Sequence, residues 1–186
     1  MKAVVISGSG LYTPPHGITN DELVESFNRY VDNYNREHQD AIAAGDLTAL
    51  EHSSSDFIVK ASGIRHRYVV EKAGILDPTF MAPRLPERSD DQPSLLCEMA
   101  VNAARQALTN STRSADEIDL VIVACSNMQR AYPAIAIEVQ AALGCGGYGY
   151  DMNVACSSAT FGIGAAADAI RSGTARRALV IMRLTR

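Results

Sequence analysis

The second half of the chain contains an uninterrupted apolar run, Leu120-Val121-Ile122-Val123-Ala124. No polar residue alternates with the apolar ones, as it would in a strand with one face in water. A short continuous run rich in β-branched residues is typical of a strand that is buried on both faces, and such strands occur in parallel sheets covered by helices. The run therefore predicts an α/β fold built on a parallel or mixed sheet.

The segments on either side of this run alternate between helix and strand patterns. Upstream, an apolar stripe from Leu96 to Ala107 predicts a helix. Downstream, Pro133 suits the first turn of a helix that ends at Gly144. The remaining predicted elements are a strand over Asp151–Ala155, a helix over Ser157–Ile170 closed by Gly173, and a strand over Ala178–Met182. Strands that alternate with helices indicate an α/β architecture with helices on both faces of the sheet.

The N-terminus predicts a short strand over Val4–Ser7, followed by Gly8-Ser9-Gly10. Two glycines at this spacing invite a dinucleotide-binding interpretation. That fingerprint needs a third glycine, where this chain has Thr13, and it needs a helix, where this chain has Pro14-Pro15. We reject a dinucleotide site and interpret the glycines as the end of a strand.

Between this strand and the regular second half, the pattern is less uniform. Thr19 and Glu22 form a capping box that predicts the start of a helix, which becomes very polar further on. Residues 28–55 are predicted to be a surface insertion. Ser53-Ser54-Ser55 caps a short helix that ends near Gly63, and an extended segment continues to Val70. Residues 74–93 are predicted to be a loop because they hold four prolines, at positions 78, 83, 86 and 93.

The helix that follows Cys156 has no polar face over residues 157–167. Such a helix is predicted to be buried on all sides. Its two internal glycines, Gly162 and Gly164, suggest that another backbone approaches closely. One sheet covers only one side of a helix, so we expect a second layer there, from a second subunit or from a further half of the protein.

Cys156 is placed between a predicted strand and this helix. The positive end of a helix dipole and the free amide hydrogens at a helix N-terminus favour the thiolate form of a cysteine. Small neighbours such as Ala155 and Ser157 allow a sharp turn and the close approach of a substrate, as in a nucleophile elbow. The alternative is a buried and inert cysteine, which is the usual state of a free cysteine. The spacing alone leaves both interpretations open.

The other cysteines and the histidines are weaker candidates. Cys97 and Cys125 are predicted to lie in the core, and Cys145 in a loop between two glycines. No histidine follows Cys156, so none is predicted to be its base. The four histidines are His16, His38, His52 and His66.

Composition excludes several classes of protein. A net charge of −4 argues against a nucleic-acid partner, which would need a basic face. No apolar run approaches the roughly 18 residues of a membrane span. Four cysteines without a Cys-x-x-Cys pair predict neither a disulfide scaffold nor structural zinc. These observations predict a cytoplasmic globular protein without a metal.

An ordered set of short motifs resembles the N-terminal half of a beta-ketoacyl-ACP synthase III, a condensing enzyme of thiolase fold. Apart from the 28–55 insertion and the 74–93 loop, the resemblance covers nearly the whole chain, and it is specific as a set. The motifs are Gly63-Ile64-Arg65, Ile118 to Val123, Tyr132-Pro133, Gln140, Leu143-Gly144, Asp151 to Ser157, and Ser172-Gly173 before Ala178 to Ile181. The implied domain is residues 1–186 as the N-terminal half of a thiolase-type fold.

The resemblance implies an acyltransferase of fatty acid synthesis. Cys156 would take the acyl group of an acyl-CoA, and decarboxylating malonyl-ACP would then condense with it, without a cofactor. Tyr132 occupies the position that reaches across a homodimer into the partner's acyl pocket. Phe57 stands where many members carry a tryptophan that stacks on the CoA adenine. A histidine, an asparagine and a glycine amide of the C-terminal half would complete the site, so the chain alone is expected to be inactive.

The chain also departs from the family pattern. Ser158 stands where members often have glycine, and it is expected to tighten the turn or narrow the pocket. Arg183-Leu184-Thr185-Arg186 follows the last strand, where members have a glycine and an acidic residue, which predicts a replaced or missing tail. A degradative thiolase and a polyketide-type synthase remain alternatives. So does a non-catalytic module that pairs through the buried helix.

Overall fold

A computed structural model describes residues 3–89 and 91–182. The chain divides into two compact units, Met1–Tyr12 with Arg88–Arg186 and Thr13–Glu87. The predicted replacement of the tail at residues 183–186 lies outside the described residues.

The unit that carries Cys156 is built on a three-stranded parallel sheet. In the described residues its strands are β3 (Leu120–Ala124), β4 (Tyr148–Met152) and β5 (Ala178–Met182), in the order β4-β3-β5. Leu120 is level with Tyr148 on one side and with Ala178 on the other. The parallel sheet and the helices that pack on both of its faces confirm the predicted α/β fold.

The central strand β3 is buried at every position, as its apolar run predicts. Its alternate side chains point to opposite faces, so one strand supplies both cores. Val121 and Val123 pack with helices α4 (Leu95–Ser111) and α5 (Ile135–Leu143). Leu120 and Ile122 pack with α6 (Ser158–Ser172) on the other face. The sheet is therefore the middle of three layers.

Connections between these elements are fixed by local caps. The Ser94 hydroxyl accepts from the Cys97 N–H at the start of α4, and a capping box of Ser114 and Glu117 holds the 3₁₀ turn Ala115–Glu117. The Asp119 carboxylate accepts the backbone N–H groups of Arg176 and Arg177, which fixes the chain just before β5. Helix α5 begins after Pro133 rather than at it, so the placement of Pro133 in the first turn is wrong by two residues.

The predicted strand over Val4–Ser7 is wrong. The segment forms no ladder, and the residues that follow it, Gly8 to Gly10, lie against helix α4. A Cβ atom on Gly8 would come within 2.6 Å of the Ala107 carbonyl oxygen, and one on Gly10 within 2.1 Å of that of Ala103. The two glycines thus permit close packing on a helix, which also accounts for them without a nucleotide.

The second unit begins with an antiparallel pair, β1 (His16–Thr19) and β2 (His66–Val69). Between them lie α1 (Asn20–Glu37), α2 (Gln39–Ala44) and α3 (Ser55–Ser62). The predicted capping box is confirmed, since the Thr19 hydroxyl accepts from the Glu22 N–H and the Glu22 carboxylate accepts from the Thr19 N–H.

The chain returning from α2 is bound along α1 by two asparagine side chains. Asn28 exchanges two hydrogen bonds with the backbone of Ser53, and Asn35 exchanges two with the backbone of Leu50. His52 contacts Asp32 between them at 2.7 Å. Residues 28–55 are therefore ordered by hydrogen bonds. That they are an insertion stays a prediction, and so does the loop over residues 74–93.

Acid is expected to weaken the second unit through Glu22. A hydrogen bond from Lys72, reinforced by the Thr19 N–H, lowers the pKa of Glu22 from 4.5 to about 2. A carboxyl whose pKa is lower in the folded state stabilises that state above its unfolded pKa, and this contribution is lost as pH falls from about 4.5 to about 2. Urea unfolding at several pH values should therefore show a stability difference between wild type and Glu22→Gln that shrinks over this range.

The exposed Glu25 on the same helix provides the control, and Glu25→Gln should follow the wild-type pH profile. A gap between wild type and Glu22→Gln that stays constant from neutral pH to pH 2 would contradict the assigned ion pair.

Candidate functional site

Cys156 lies in a tight turn that joins β4 to α6. Strand β4 spans Tyr148–Met152, so it begins and ends three residues earlier than the predicted Asp151–Ala155. The early end leaves Asn153 to Ser157 for the turn, and Cys156 is exposed at its tip. The prediction of a cysteine between a strand and a helix N-terminus is confirmed.

Ala155 gives the turn its sharpness. Its φ angle is +48°, in the left-handed region that residues other than glycine rarely adopt. Holding an alanine there costs about 1–2 kcal/mol, so neighbouring contacts must stabilise it. In this structure the residue before the cysteine, and not the cysteine itself, has the unusual backbone.

Five hydrogen bonds close the turn, and one of them runs from the Ser158 N–H to the Ala155 carbonyl at 3.2 Å. The Asn153 side-chain oxygen accepts from the Ala155 N–H at 3.1 Å, and the Val154 carbonyl accepts from the Ser157 N–H at 3.0 Å. The Ser158 hydroxyl accepts from the Val154 N–H and donates to the Ala155 carbonyl, both at 2.8 Å. The two bonds of Ser158 agree with the expectation that this residue tightens the turn. The role of Asn153 was not predicted, because it depends on the conformation of Ala155.

Helix α6 is buried along one stripe only. Ser158, Gly162 and Ala166 face the sheet, and a Cβ atom on Gly162 would lie 3.1 Å from Ala124 and Val180 side-chain atoms. The opposite face leaves Phe161 57% exposed and Ile163 41% exposed. Within the described residues no layer covers this face, as expected if the second layer comes from outside them, and its burial by such a layer stays a prediction.

An open groove of 420 Å³ runs along the exposed face of α6. Met152, Thr160, Phe161, Gly164, Ala165 and Asp168 line it. The groove is mainly apolar and begins next to the turn that carries Cys156.

The loop after β3 carries Tyr132 and is bonded to the β4 end of the sheet. The Cys125 N–H donates to the Met152 carbonyl, and the Asp151 carboxylate accepts from the N–H groups of Ile135 and Ala136 at the start of α5. The loop is thus fixed at both ends, while Tyr132 in it is 89% exposed. Its side chain is free to contact another molecule.

Phe57 belongs to the other unit, on helix α3, where Ser54 caps the helix as predicted. The ring is 64% exposed and offers a flat apolar surface. The two predicted binding residues, Phe57 and Tyr132, therefore lie in different units, and Tyr132 shares its unit with Cys156.

The other cysteines differ from Cys156 in burial. Burial, together with the charges of Glu138 and Glu98, raises the pKa of Cys97 to about 11. Burial also raises the pKa of Cys145. Cys97 and Cys125 are buried, as predicted, and Cys145 is intermediate. In this chain, Cys156 is the exposed cysteine.

All four histidines, His16, His38, His52 and His66, belong to the unit Thr13–Glu87. The unit that carries Cys156 therefore contains no histidine. Within residues 3–89 and 91–182, no group of three or more potential metal ligands comes together. No helix in that part of the chain is long and apolar enough to cross a membrane.

Comparison with known proteins matches the fold and the motif around Cys156. Residues 150–184 match the family model for 3-oxoacyl-[acyl-carrier-protein] synthase III. A beta-ketodecanoyl-[acyl-carrier-protein] synthase of Pseudomonas aeruginosa is 66% identical over 158 residues, which are 85% of this chain and 45% of that protein. The chain is related to the 3-oxoacyl-[acyl-carrier-protein] synthases III. The resemblance predicted from the motifs is thereby confirmed.

More distant synthases III also match the chain. The beta-ketoacyl-[acyl-carrier-protein] synthase III of Bordetella petrii is 33% identical over 183 residues, 97% of this chain and 44% of its own length. The crystal structure of the synthase III from Aquifex aeolicus superposes with a TM-score of 0.66 at 26% identity, covering 95% of this chain and 43% of that one. The chain thus spans less than half the length of the synthases III that it matches.

Proposed function

We propose that this chain carries the nucleophile of a condensing acyltransferase of fatty acid synthesis, with Cys156 as the catalytic residue. The observation that supports this most strongly is the exposed Cys156 at a closed turn before α6, in the segment that matches the synthase III model. A thiolate is a good nucleophile and a thioester has a good leaving group, so a two-step covalent reaction suits the site.

In the first step the Cys156 thiolate attacks the carbonyl carbon of an acyl-CoA. A new carbon–sulfur bond forms, the bond to the CoA sulfur breaks, and CoA leaves as a thiolate that takes up a proton. In the second step malonyl-ACP loses carbon dioxide and keeps the electron pair on its α-carbon. This carbanion attacks the acyl-cysteine carbonyl, the new carbon–carbon bond forms, and the Cys156 thiolate is released with a beta-ketoacyl-ACP as product.

The carbanion step needs donors that stabilise the developing enolate. The unit with Cys156 has no histidine, and the relatives are more than twice as long as their matched parts. We therefore propose that a C-terminal half supplies a histidine and an asparagine, and that the 186-residue chain alone does not condense malonyl-ACP. The exposed face of α6 offers a surface on which such a half could pack.

The proposed substrates assign roles to the exposed aromatic residues. Phe57 would stack on the adenine of CoA, and Tyr132 would reach into the acyl pocket of the second subunit of a homodimer in the cytoplasm. An exposed ring meets the requirement of each role, because stacking and cross-subunit contact both need a side chain that its own unit leaves uncovered.

We further propose a medium-chain acyl group. The Pseudomonas aeruginosa relative is named for a beta-ketodecanoyl product. Decarboxylative condensation adds two carbons, so an octanoyl group gives this product. When the protein is incubated with octanoyl-CoA and acetyl-CoA in competition, intact-mass spectrometry should show mainly the octanoyl adduct. A predominance of the acetyl adduct would overturn the chain-length proposal but would leave the nucleophile in place.

The non-catalytic pairing module is the second candidate, and the exposed apolar face of α6 favours it. The two candidates differ in the reactivity of Cys156. A pairing module predicts iodoacetamide labelling at Cys156 no faster than at an ordinary exposed cysteine in a peptide, and no acyl adduct.

A further inference from the structure

Ser158 has two roles in the structure, because it begins helix α6 and its side chain also closes the turn before it. The residue is 3% exposed, and its hydroxyl lies between the Val154 N–H and the Ala155 carbonyl. The hydroxyl is therefore a donor and an acceptor at once, with both partners on the backbone that precedes Cys156. A buried hydroxyl with both functions satisfied is a strong local restraint.

The two bonds restrain the residue that most needs a restraint. Ala155 has a φ angle of +48°, and the Ser158 hydroxyl holds its carbonyl oxygen. The same hydroxyl holds the N–H of Val154, so the peptide units on both sides of Val154 and Ala155 are tied to the first turn of α6. Cys156 lies between the bonded residues and is the exposed residue at the tip.

The neighbouring serine has no such function. Ser157 occupies the N-cap position, yet its side chain makes no capping hydrogen bond. A comparison of variants at Ser157 and Ser158 therefore distinguishes the loss of any hydroxyl near Cys156 from the loss of these two hydrogen bonds.

We propose that Ser158 is a positioning residue for the nucleophile. Its hydroxyl fixes the backbone at Val154 and Ala155 and so sets the direction in which the Cys156 side chain points. The inference rests on the proposed role of Cys156. A glycine at this position has no side chain with which to make either bond. With a glycine there, the turn would keep its backbone bonds and the bond to the Asn153 side chain, but it would lose both bonds of the Ser158 hydroxyl.

The test compares Ser158→Ala with wild type in two independent reactions. Transfer from octanoyl-CoA to Cys156 at saturating substrate should slow by roughly tenfold, the effect of losing two ordinary hydrogen bonds, while the half-saturating concentration stays unchanged. Alkylation of Cys156 by iodoacetamide should slow in the same direction. Ser157→Ala, as the matched control, should remain within about twofold of wild type in both reactions.

The buried cysteines distinguish positioning from general loss of structure. Cys97 and Cys125 should stay protected from iodoacetamide in Ser158→Ala, since only the turn changes. If Cys97 and Cys125 become labelled, Ser158 stabilises the fold as a whole rather than the turn, and the proposal is wrong. Ser158→Gly also lacks the hydroxyl and supplies the same comparison if the alanine variant does not fold.

Two further results would overturn the proposal. One is a Ser158→Ala protein that is alkylated at Cys156 as fast as wild type. The other is an equal loss in Ser157→Ala. Alkylation by iodoacetamide needs no acyl-CoA, so it tests the role of Ser158 even if the wild-type protein forms no acyl adduct. The absence of an acyl adduct in wild type would count against the proposed function instead.

Discussion

Cys156→Ala is expected to abolish acyl transfer from acyl-CoA, with a fall of at least about a thousandfold, as is usual when the nucleophile of a covalent mechanism is removed. The physical reason is that no other thiol can replace it. Cys97 and Cys125 are buried, and burial raises the pKa values of Cys97 and Cys145. The measurement is the rate of CoA release in a single turnover.

Cys145→Ala is the matched control for this experiment. It removes one thiol and the same number of atoms, from a residue in the loop between α5 and β4. Its rate of acyl transfer should equal that of wild type. If Cys145→Ala lost the activity and Cys156→Ala kept it, the assignment of the nucleophile would be wrong.

Gly147→Ala is expected to be the most destabilising single change in the loop between α5 and β4. Gly147 has a φ angle of +68°, and a Cβ atom there would lie 1.9 Å from the Asp119 carbonyl oxygen. That oxygen accepts from the Tyr148 N–H where β3 and β4 begin to pair, so it cannot move without disturbing the sheet. We expect a loss of about 3 kcal/mol or more in the free energy of unfolding, measured by urea denaturation.

Gly144→Ala shows how much of the loss comes from backbone strain alone, without steric overlap of the new Cβ atom. Gly144 also has a positive φ angle, +76°, but a Cβ atom on it would meet nothing within 4 Å. Only the left-handed backbone should then matter, at a loss of about 1 kcal/mol. Equal losses in the two variants would contradict the close approach of Gly147 to Asp119.

The fold could be predicted where one physical requirement dominates. The apolar run Leu120–Ala124 has no polar residue to turn towards water, so burial on both faces followed from composition alone. The capping box at Thr19 and the helix ends at Gly144 and Gly173 rest on local backbone chemistry, and the structure has them in place.

Predictions failed where the structure of a segment depends on the segment that packs or pairs with it. Val4–Ser7 has the composition of a strand, yet a strand also needs a partner for its backbone, and this segment forms no ladder in the structure. The predicted end of β4 is three residues too late, because the ladder with β3 ends where Met152 pairs with Ala124, the last residue of β3. The helix after Cys156 was correctly located, but how far it is buried depends on what covers its second face.

The sequence alone could predict where Cys156 lies and that Ser158 tightens the turn beside it, but not which hydrogen bonds hold that turn. The position of Cys156 between a strand and a helix follows from the order of elements, and its exposure was decided by the structure. The hydroxyl of Ser158 and the side chain of Asn153 act through bonds to backbone groups two to four residues away, which exist only after the turn has formed. The roles of Phe57 and Tyr132 stay predictions, since both depend on molecules outside this chain.

Mapping the acyl group tests the central proposal most directly. The protein is incubated with octanoyl-CoA, quenched in acid and digested with pepsin, and the modified peptide is identified by tandem mass spectrometry. We predict one octanoyl group, on Cys156, that is sensitive to hydroxylamine as a thioester must be. An octanoyl group on any other residue would contradict the proposal. So would a Cys156 that stays unmodified after prolonged incubation with excess octanoyl-CoA.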